Sequence, residues 1–159
     1  MTCADRSRVN WFIAQTERTL SEEVPAPPDA VRDFYTDLNN LKTLHPLIVA
    51  VRATERIETA DGYVQDYRVH DRIPVGPLTL PIAYAARLFV PTVGDVITDA
   101  RQFPRVRLHG TVAFTPAGGG TRVTEHIRFE VPRALAAITI RQAVAAHIEM
   151  LAGIRRQFE

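Results

Sequence analysis

One carboxylate falls on a strand face that is otherwise apolar. Apolar and polar residues alternate from Val123 onward, and Glu125 takes one of the apolar positions, between Val123 and Ile127. An unpaired carboxylate on a buried face is costly, and burial shifts it towards its neutral form. We therefore expect Glu125 to bind a ligand hydroxyl or to act as a general acid or base. The alternative is a position at the rim of the sheet, where the carboxylate is hydrated or paired with an arginine.

A histidine interrupts an apolar stripe near the C-terminus in a comparable way. His147 follows Val144 and precedes Leu151 at helical spacing. In this position His147 would offer a ligand a polar contact or a proton. The simpler interpretation is a core histidine whose hydrogen bonds are made within the protein. Glu125 and His147 are the two candidate catalytic residues.

Three further residues are candidates for ligand contact. His45 precedes a proline at the end of a short helical segment, where the entrance to a cavity would lie. Tyr67 and Tyr84 fall on apolar strand faces, and the hydroxyl of a buried tyrosine needs a partner. A structural histidine and plain core tyrosines are the alternatives. Gln65 and Asp71 share the face of Tyr67 and would add polarity there.

Several chemistries find no support in the sequence. His70, His109 and His126 fall on outer strand faces among arginines, and no neighbouring carboxylate or cysteine completes a metal set. Cys3 is the only cysteine, which excludes an internal disulfide. The run Gly118–Gly120 joins two strands, whereas a phosphate-binding loop joins a strand to a helix. No metal or other cofactor is predicted.

Period-two alternation on both sides of Gly118–Gly120 predicts a hairpin that would position Glu125. A slip of one residue would turn every side chain to the other face, so matching the faces tests the register. The predicted partners are Val112 with Glu125, Phe114 with Val123, Leu108 with Phe129, and Arg107 with Glu130 on the outer face.

The rest of the chain supplies five more strands and the helices. A second hairpin is predicted at Asp61-Gly62. Its strands and the remaining ones cover 49–59, 63–73, 79–90, 93–103 and 14–24. The prolines at 25–28 predict a turn before a helix capped by Asp29, and a second short turn covers 42–45. A long amphipathic helix runs from after Pro132 to about Phe158.

This order predicts an α+β fold in which about seven antiparallel strands curl around the long helix, with two short helices after the first strand. One helix cannot fill the space under so large a sheet, so an internal cavity is expected. The residues predicted to line it are Tyr67, Val69, Tyr84, Leu108, Val112, Glu125, Ile127, Phe129, Val144, His147, Leu151 and His45.

One short motif resembles a known family. It consists of Val24-Pro25-Ala26-Pro27-Pro28, then Val31, Phe34-Tyr35, Asp37 and His45-Pro46. It is similar to the opening of the START-like (SRPBCC) superfamily, in particular its polyketide cyclase/dehydrase and lipid transport branch. Leu44 departs from the pattern, because many members carry tryptophan there.

The resemblance implies a helix-grip (Bet v 1-like) fold and one START-like domain over 1–159, with a flexible N-terminus over 1–10. It also implies a cavity for a hydrophobic small molecule between the sheet and the C-terminal helix. It transfers no catalytic residue, because the family has no shared catalytic motif.

Three functions remain as hypotheses. The first is a carrier that encloses a lipid, sterol or polyketide-like molecule, and the second is an enzyme similar to polyketide aromatase/cyclases. The third is a protein- or RNA-interaction module acting through an arginine-rich outer sheet. The net charge of +1, the interspersed acidic residues and the absence of aromatic residues between the arginines argue against nucleic acid. These arginines are Arg68, Arg72, Arg105, Arg107, Arg122 and Arg128.

The stretch Ile73 to Ala86 carries no charge, but with three prolines in 14 residues it is too short and too broken to span a membrane. Its predicted loop, Pro74 to Pro77, would form a portal that touches a membrane or a partner; the alternative is a strand buried on both faces.

The N-terminal residues lack a signal-peptide pattern, which predicts a cytoplasmic protein. A monomer or a homodimer is expected.

Overall fold

The computed structural model describes residues 11–159. The predicted flexible segment 1–10, with Cys3, lies outside the described residues. Seven strands and three helices follow one another along the described chain. Their bounds are β1 (Ile13–Val24), α1 (Pro28–Thr36), α2 (Leu38–Leu41), β2 (Ile48–Thr59), β3 (Gly62–Val75), β4 (Leu78–Pro91), β5 (Val96–Gln102), β6 (Val106–Ala117), β7 (Gly120–Pro132) and α3 (Arg133–Gln157).

All seven strands belong to one antiparallel sheet with the order β1-β7-β6-β5-β4-β3-β2. Strands β2 to β7 form a meander, and β1 returns to pair with β7. Helix α3 packs on β1 and β7, and α1 packs on β6 and β7. The predicted α+β architecture of a seven-stranded sheet with a long C-terminal helix is confirmed.

The hairpin of β6 and β7 has the predicted register. Glu125 lies opposite Val112, and the other predicted apolar pairs also face each other. Arg107 lies opposite Glu130 as predicted, but its guanidinium binds Asp99, with 2.6 Å between Nη2 and Oδ2. The concave face of β7 therefore presents Glu125 towards the helices.

Two core clusters lie between the sheet and the helices. One joins α1, α2 and the last turns of α3 to the sheet and includes Val31 and Ile154, both fully buried. The other lies under the first half of α3 and includes Phe129 and Val131. Gly153 allows Leu44 to approach α3 closely, because a Cβ at this glycine would lie 3.2 Å from two carbons of Leu44.

Three local predictions were wrong. Pro74 to Pro77 is not a loop, because β3 continues to Val75 and only two residues turn the chain into β4. Arg105 is not part of a strand; it lies in the β5–β6 turn with a φ of 59°. Pro27, not Asp29, is the N-cap of α1, since prolines fit the first turn of a helix without losing a bond. The predicted turn over 42–45 is present, and it follows a short helix at 38–41 that starts where the Asp37 side chain accepts from the Asn39 backbone N–H.

Among the described residues, α3 is the helix long and apolar enough to cross a membrane by length and composition, with a mean hydropathy of 1.3 over its most apolar window. Here its last turns pack in the core through Met150, Leu151 and Ile154. The apolar content of α3 is consistent with the packing of one face on a sheet.

Candidate functional site

Glu125 lies at the centre of a hydrogen-bonded group contributed by three elements. Its side chain comes from β7 and is 1% exposed. Tyr35 on α1 donates its hydroxyl hydrogen to Oε1 over 2.5 Å, and Nδ1 of His147 on α3 lies 2.8 Å from Oε2. Glu125 is therefore not at a wet rim and is not paired with an arginine.

The partners of Glu125 are held in protonation states that suit these bonds. Tyr35 packs edge to face against Phe114, with ring centroids 5.5 Å apart. Burial, together with the adjacent Glu125, raises the pKa of Tyr35 well above its usual value, so its hydroxyl stays a donor. Burial disfavours a charge on His147, but attraction to Glu125, the hydrogen bond and Asp71 outweigh it and raise the pKa of His147. Because Nδ1 faces Glu125, Nε2 is the nitrogen available to a ligand.

His45 stands in the turn after α2 and faces His147. The two rings are 5.5 Å apart and nearly perpendicular. Burial, and then the proximity of His147, lowers the pKa of His45 to about 3, so its imidazole is neutral at ordinary pH. Its Nδ1 is buried and has no hydrogen-bond partner within residues 11–159.

Asp71 is a second buried carboxylate on the concave face, this time from β3. It is 6% exposed, and its Oδ1 has no hydrogen-bond partner in the described chain. Burial raises the pKa of Asp71 to about 6, against the opposing effects of the Tyr84 hydroxyl and of His147. Burial, with the adjacent Asp71, raises the pKa of Tyr84.

These polar groups surround two adjoining pockets between the sheet and α3. The larger has a volume of about 300 Å³ and the smaller, inner one about 110 Å³. Five residues line both: His45, Tyr84, Ala100, Leu108 and His147. Glu125 and Tyr35 close the inner pocket, and Asp71 and Gln142 add polarity to the larger one. Apart from these groups the walls are mostly aliphatic.

The structure brings seven of the twelve predicted contact residues to these pockets. They are His45, Tyr84, Leu108, Val112, Glu125, Ile127 and His147. The other five lie elsewhere. Tyr67, Val69 and Leu151 are buried in one core cluster, Phe129 is buried in the other, and Val144 packs against that second cluster. The hydroxyl of Tyr67 donates to the backbone oxygen of Thr36 over 3.2 Å.

Two residues that form part of the site were not among the residues predicted to line it. Tyr35 was named in the family motif and not as a site residue, and Asp71 was noted only as added polarity. For Tyr35 the signal was present, because a tyrosine in a buried stripe needs a partner for its hydroxyl. For Asp71 the signal was its position on the same strand face as the buried Tyr67 and Val69.

The mouth of the larger pocket carries exposed apolar side chains. Phe103 is 90% exposed, and Val75, Leu80 and Leu135 are also exposed. Leu78, at the neighbouring tip of the β3–β4 hairpin, is 66% exposed. The stretch 73–86 is therefore not a strand buried on both faces, because its first half forms the projecting tip of the β3–β4 hairpin.

The outer face of the sheet is dominated by ion pairs. Arg107, Arg122 and Arg128 bind Asp99, Glu23 and Glu17, respectively. His109 and His126 each lie 3.3 Å from a carboxylate oxygen, of Asp99 and Glu17. Within residues 11–159, however, no three His, Cys, Asp or Glu side chains are grouped to hold a metal ion.

Comparison with known proteins gives one match at the level of sequence families. Residues 15–159 match the family described as polyketide cyclase / dehydrase and lipid transport. No curated protein matches the chain.

Solved structures share the fold. TTHA0849 from Thermus thermophilus has a TM-score of 0.71 at 19% identity, over 90% of this chain and 97% of that one. The Zhui aromatase/cyclase from Streptomyces sp. R1128 has a TM-score of 0.65 at 17% identity, over 92% and 96%. A STAR-related lipid transfer protein fragment from Xanthomonas axonopodis has a TM-score of 0.64 at 16% identity, over 91% and 94%. At these identities the similarity shows the predicted helix-grip, Bet v 1-like fold.

Proposed function

This chain belongs to the polyketide cyclase/dehydrase and lipid transport family, and on that basis we propose that it binds an apolar small molecule, such as a lipid, a sterol or a polyketide-like compound, between the sheet and α3. One observation supports this most directly: a mostly aliphatic pocket of about 300 Å³ has polar groups at a few defined places. Such a volume lies at the lower end of the range for small-molecule sites, and this mixture of walls is typical of them. Burial of the ligand's apolar surface would supply the affinity.

Two experiments test this proposal. Native mass spectrometry after mild purification should detect a bound apolar compound, and an apolar fluorescent dye should bind the emptied protein. Ala100 lines both pockets, so Ala100→Phe should fill them and weaken dye binding about tenfold or more. Ala85→Phe is the matched control, because Ala85 lies on β4 and is exposed on the outer face. Equal dye binding by the two variants, with no co-purifying compound, would refute the proposal.

An enzyme of the aromatase/cyclase kind is the second candidate, and the Tyr35–Glu125–His147 group favours it. His147 borders both pockets, and Glu125 favours its protonated form, which suits a general acid. With a linear poly-β-ketone thioester as substrate, Glu125→Gln should lose most turnover while dye binding is retained. Unchanged turnover would assign the group a purely structural role.

We also propose a contact between the mouth of the pocket and an anionic lipid bilayer. Phe103 projects from the mouth and Leu78 from the neighbouring tip of the β3–β4 hairpin. Arg105 lies in the same turn as Phe103, and Arg133 is the first residue of α3. The first 16 residues of α3 contain no acidic side chain, so this end offers apolar groups and positive charge together.

A second copy of the chain is a poorer partner for the mouth, since a two-fold interface would place these arginines against their own copies. Phe103→Ser should reduce co-sedimentation with vesicles that contain phosphatidylserine. Val93→Ser should not, because Val93 is 86% exposed at the opposite end of β5. Equal losses, or no sedimentation by the unaltered protein, would refute this contact.

The arginine-rich outer sheet gives less support to an RNA- or protein-binding function. Arg107, Arg122 and Arg128 are engaged with carboxylates of the same sheet, which reduces the positive charge available to phosphates.

A further inference from the structure

Two buried polar atoms of the larger pocket have no hydrogen-bond partner within residues 11–159. They are Nδ1 of His45 and Oδ1 of Asp71, in side chains that are 9% and 6% exposed, respectively. Both residues line the pocket wall. Polar atoms buried to this degree are nearly always hydrogen-bonded in native proteins, because an unmade bond forfeits the hydration of the atom. Two such atoms in one pocket point to a ligand as the partner.

The neighbours of Asp71 explain why the chain itself does not satisfy Oδ1. The sheet register places Ile48 of β2 and Ile82 of β4 directly opposite Asp71, and neither side chain can donate a hydrogen bond. Tyr84 lies two positions further along β4 and is close enough to affect the pKa of Asp71. Within residues 11–159 it makes no hydrogen bond to Oδ1, which is left without a partner.

The two atoms without partners differ in the hydrogen bonds that they can make. An ionised carboxylate only accepts hydrogen bonds, so a ligand group must donate to Asp71. The neutral imidazole of His45 has one donating and one accepting nitrogen, so its Nδ1 can take either role. A hydroxyl matches both, because it donates and accepts at one atom.

Charged ligand groups fit this wall less well. A ligand carboxylate would lie beside the negative charge of Asp71. A ligand ammonium would lie near His147, whose protonated form is favoured by Glu125. Repulsion from protonated His147 offsets the attraction of an ammonium to Asp71, whereas a neutral donor meets no like charge, so we take the ligand group at Asp71 to be neutral.

We propose that the pocket selects an apolar ligand that carries a neutral hydroxyl group, an alcohol or a phenol, which donates its hydrogen bond to Oδ1 of Asp71 beside His45. This inference rests on the proposed function and specifies the chemistry of its ligand. The apolar body of the ligand would lie against Ile73, Ile82 and Leu108.

Three probes of similar size and different polarity test the inference: naphthalene, 2-naphthol and 2-naphthoate. Each is titrated into the emptied protein at neutral pH by competition with the apolar dye. A hydrogen bond to a charged acceptor should make 2-naphthol bind about tenfold more tightly than naphthalene. 2-Naphthoate should bind more weakly than naphthalene.

Variants on β3 then separate the role of Asp71 from a general effect on the pocket. Asp71→Leu should abolish the preference for 2-naphthol and keep naphthalene binding, and Asp71→Asn, whose amide oxygen still accepts, should keep part of the preference. Asp66→Leu is the matched control, because Asp66 lies on the outer face of the same strand and pairs with Arg87. It should leave all three affinities unchanged.

The possible failures have different meanings. If naphthalene and 2-naphthol bind equally to the unaltered protein, or if the preference survives both Asp71 variants, the hydroxyl inference is wrong and the proposed function stands. If neither the dye nor any probe binds, the proposed function fails and the inference fails with it. Thermal unfolding of Asp71→Leu and Asp71→Asn confirms that each variant is folded in these titrations.

Discussion

Two buried carboxylates on the same concave face, Glu125 and Asp71, have opposite surroundings. Glu125 is enclosed by elements from three parts of the chain, and each of its oxygens meets a side-chain partner. Asp71 is nearly as buried, but the strands on both sides place isoleucines opposite it, and Oδ1 has no partner in the described part of the chain. Burial alone therefore does not indicate what a polar residue does.

Glu125 therefore contributes to the packing of the fold, whereas Asp71 has an oxygen that can bind a ligand. Glu125 connects β7 to α1 through Tyr35 and to α3 through His147. Removing a buried group whose hydrogen bonds are all made leaves its partners unpaired. Removing a buried group that lacks a hydrogen-bond partner instead relieves the cost of its burial. The two carboxylates should thus respond to substitution with opposite signs.

The largest expected effect is the loss of stability in Glu125→Leu. The change leaves the hydroxyl of Tyr35 and Nδ1 of His147 without their partner in the core. The free energy of unfolding, measured with urea, should fall by about 3–5 kcal/mol. Glu125→Gln keeps an acceptor for Tyr35 and should lose less. A loss below about 1 kcal/mol in Glu125→Leu would show that this group does not hold the helices to the sheet.

Asp71→Asn should have the opposite sign. The folded protein raises the pKa of Asp71 from 3.8 to about 6, so ionisation opposes folding. Below about pH 3 the carboxyl is protonated in both states and costs nothing; the penalty grows as the pH rises from about 4 to about 6 and is constant above that range. At about pH 8 the variant should be more stable than the unaltered protein by roughly 1–2 kcal/mol. The gain should vanish at about pH 3, and urea titrations at the two pH values measure it. A loss of stability at both pH values contradicts the prediction.

The pKa of His147 depends directly on the charge of Glu125. Burial opposes protonation of His147, and Glu125 more than compensates, so its pKa is raised. The raised pKa means that protonated His147 adds stability below its unfolded value of about 6.5, and that this contribution is lost as the pH rises through the folded value. In Glu125→Gln, NMR titration should show the pKa of His147 lower by about 1 unit or more. An unchanged pKa would mean that the charge of Glu125 does not reach His147.

The smallest effect is expected on the outer face, where the ion pairs are hydrated. Arg107 binds Asp99 there, with a side chain that is 39% exposed. Arg107→Ala should lower the free energy of unfolding by less than about 1 kcal/mol, and added salt should reduce the difference. A loss comparable to that of Glu125→Leu would remove the distinction between the two faces.

The alternation of side chains was sufficient to predict the sheet and the place of Glu125 in it. Each strand turns successive side chains to opposite faces, so a pattern of period two specifies a face without any knowledge of the partner strand. The helical stripe placed His147 on the side of α3 that meets the sheet. Both side chains were therefore placed on the concave side of the sheet from the sequence, and their roles stay predictions.

Five predicted contact residues, among them Tyr67, Phe129 and Leu151, share the correct face but lie in the packed core. The face of a strand is a local property, whereas the boundary between core and pocket depends on where α1 and α3 rest on the sheet. For the same reason the sequence left two alternatives open for 73–86, a portal and a strand buried on both faces, because the exposure of the β3–β4 tip depends on how α3 lies on the sheet.

The sequence by itself determined the order of the elements, the register of β6 and β7, and which polar residues break an apolar pattern. Only the tertiary structure decided what those residues meet. Tyr35 and Glu125 are 90 residues apart in the chain, and their hydrogen bond exists because α1 crosses the concave face at β6 and β7. Oδ1 of Asp71 has no partner within residues 11–159, because its neighbours across the sheet are apolar. A side chain's direction follows from its own backbone, but its partners follow from the packing of distant segments, which local patterns do not contain.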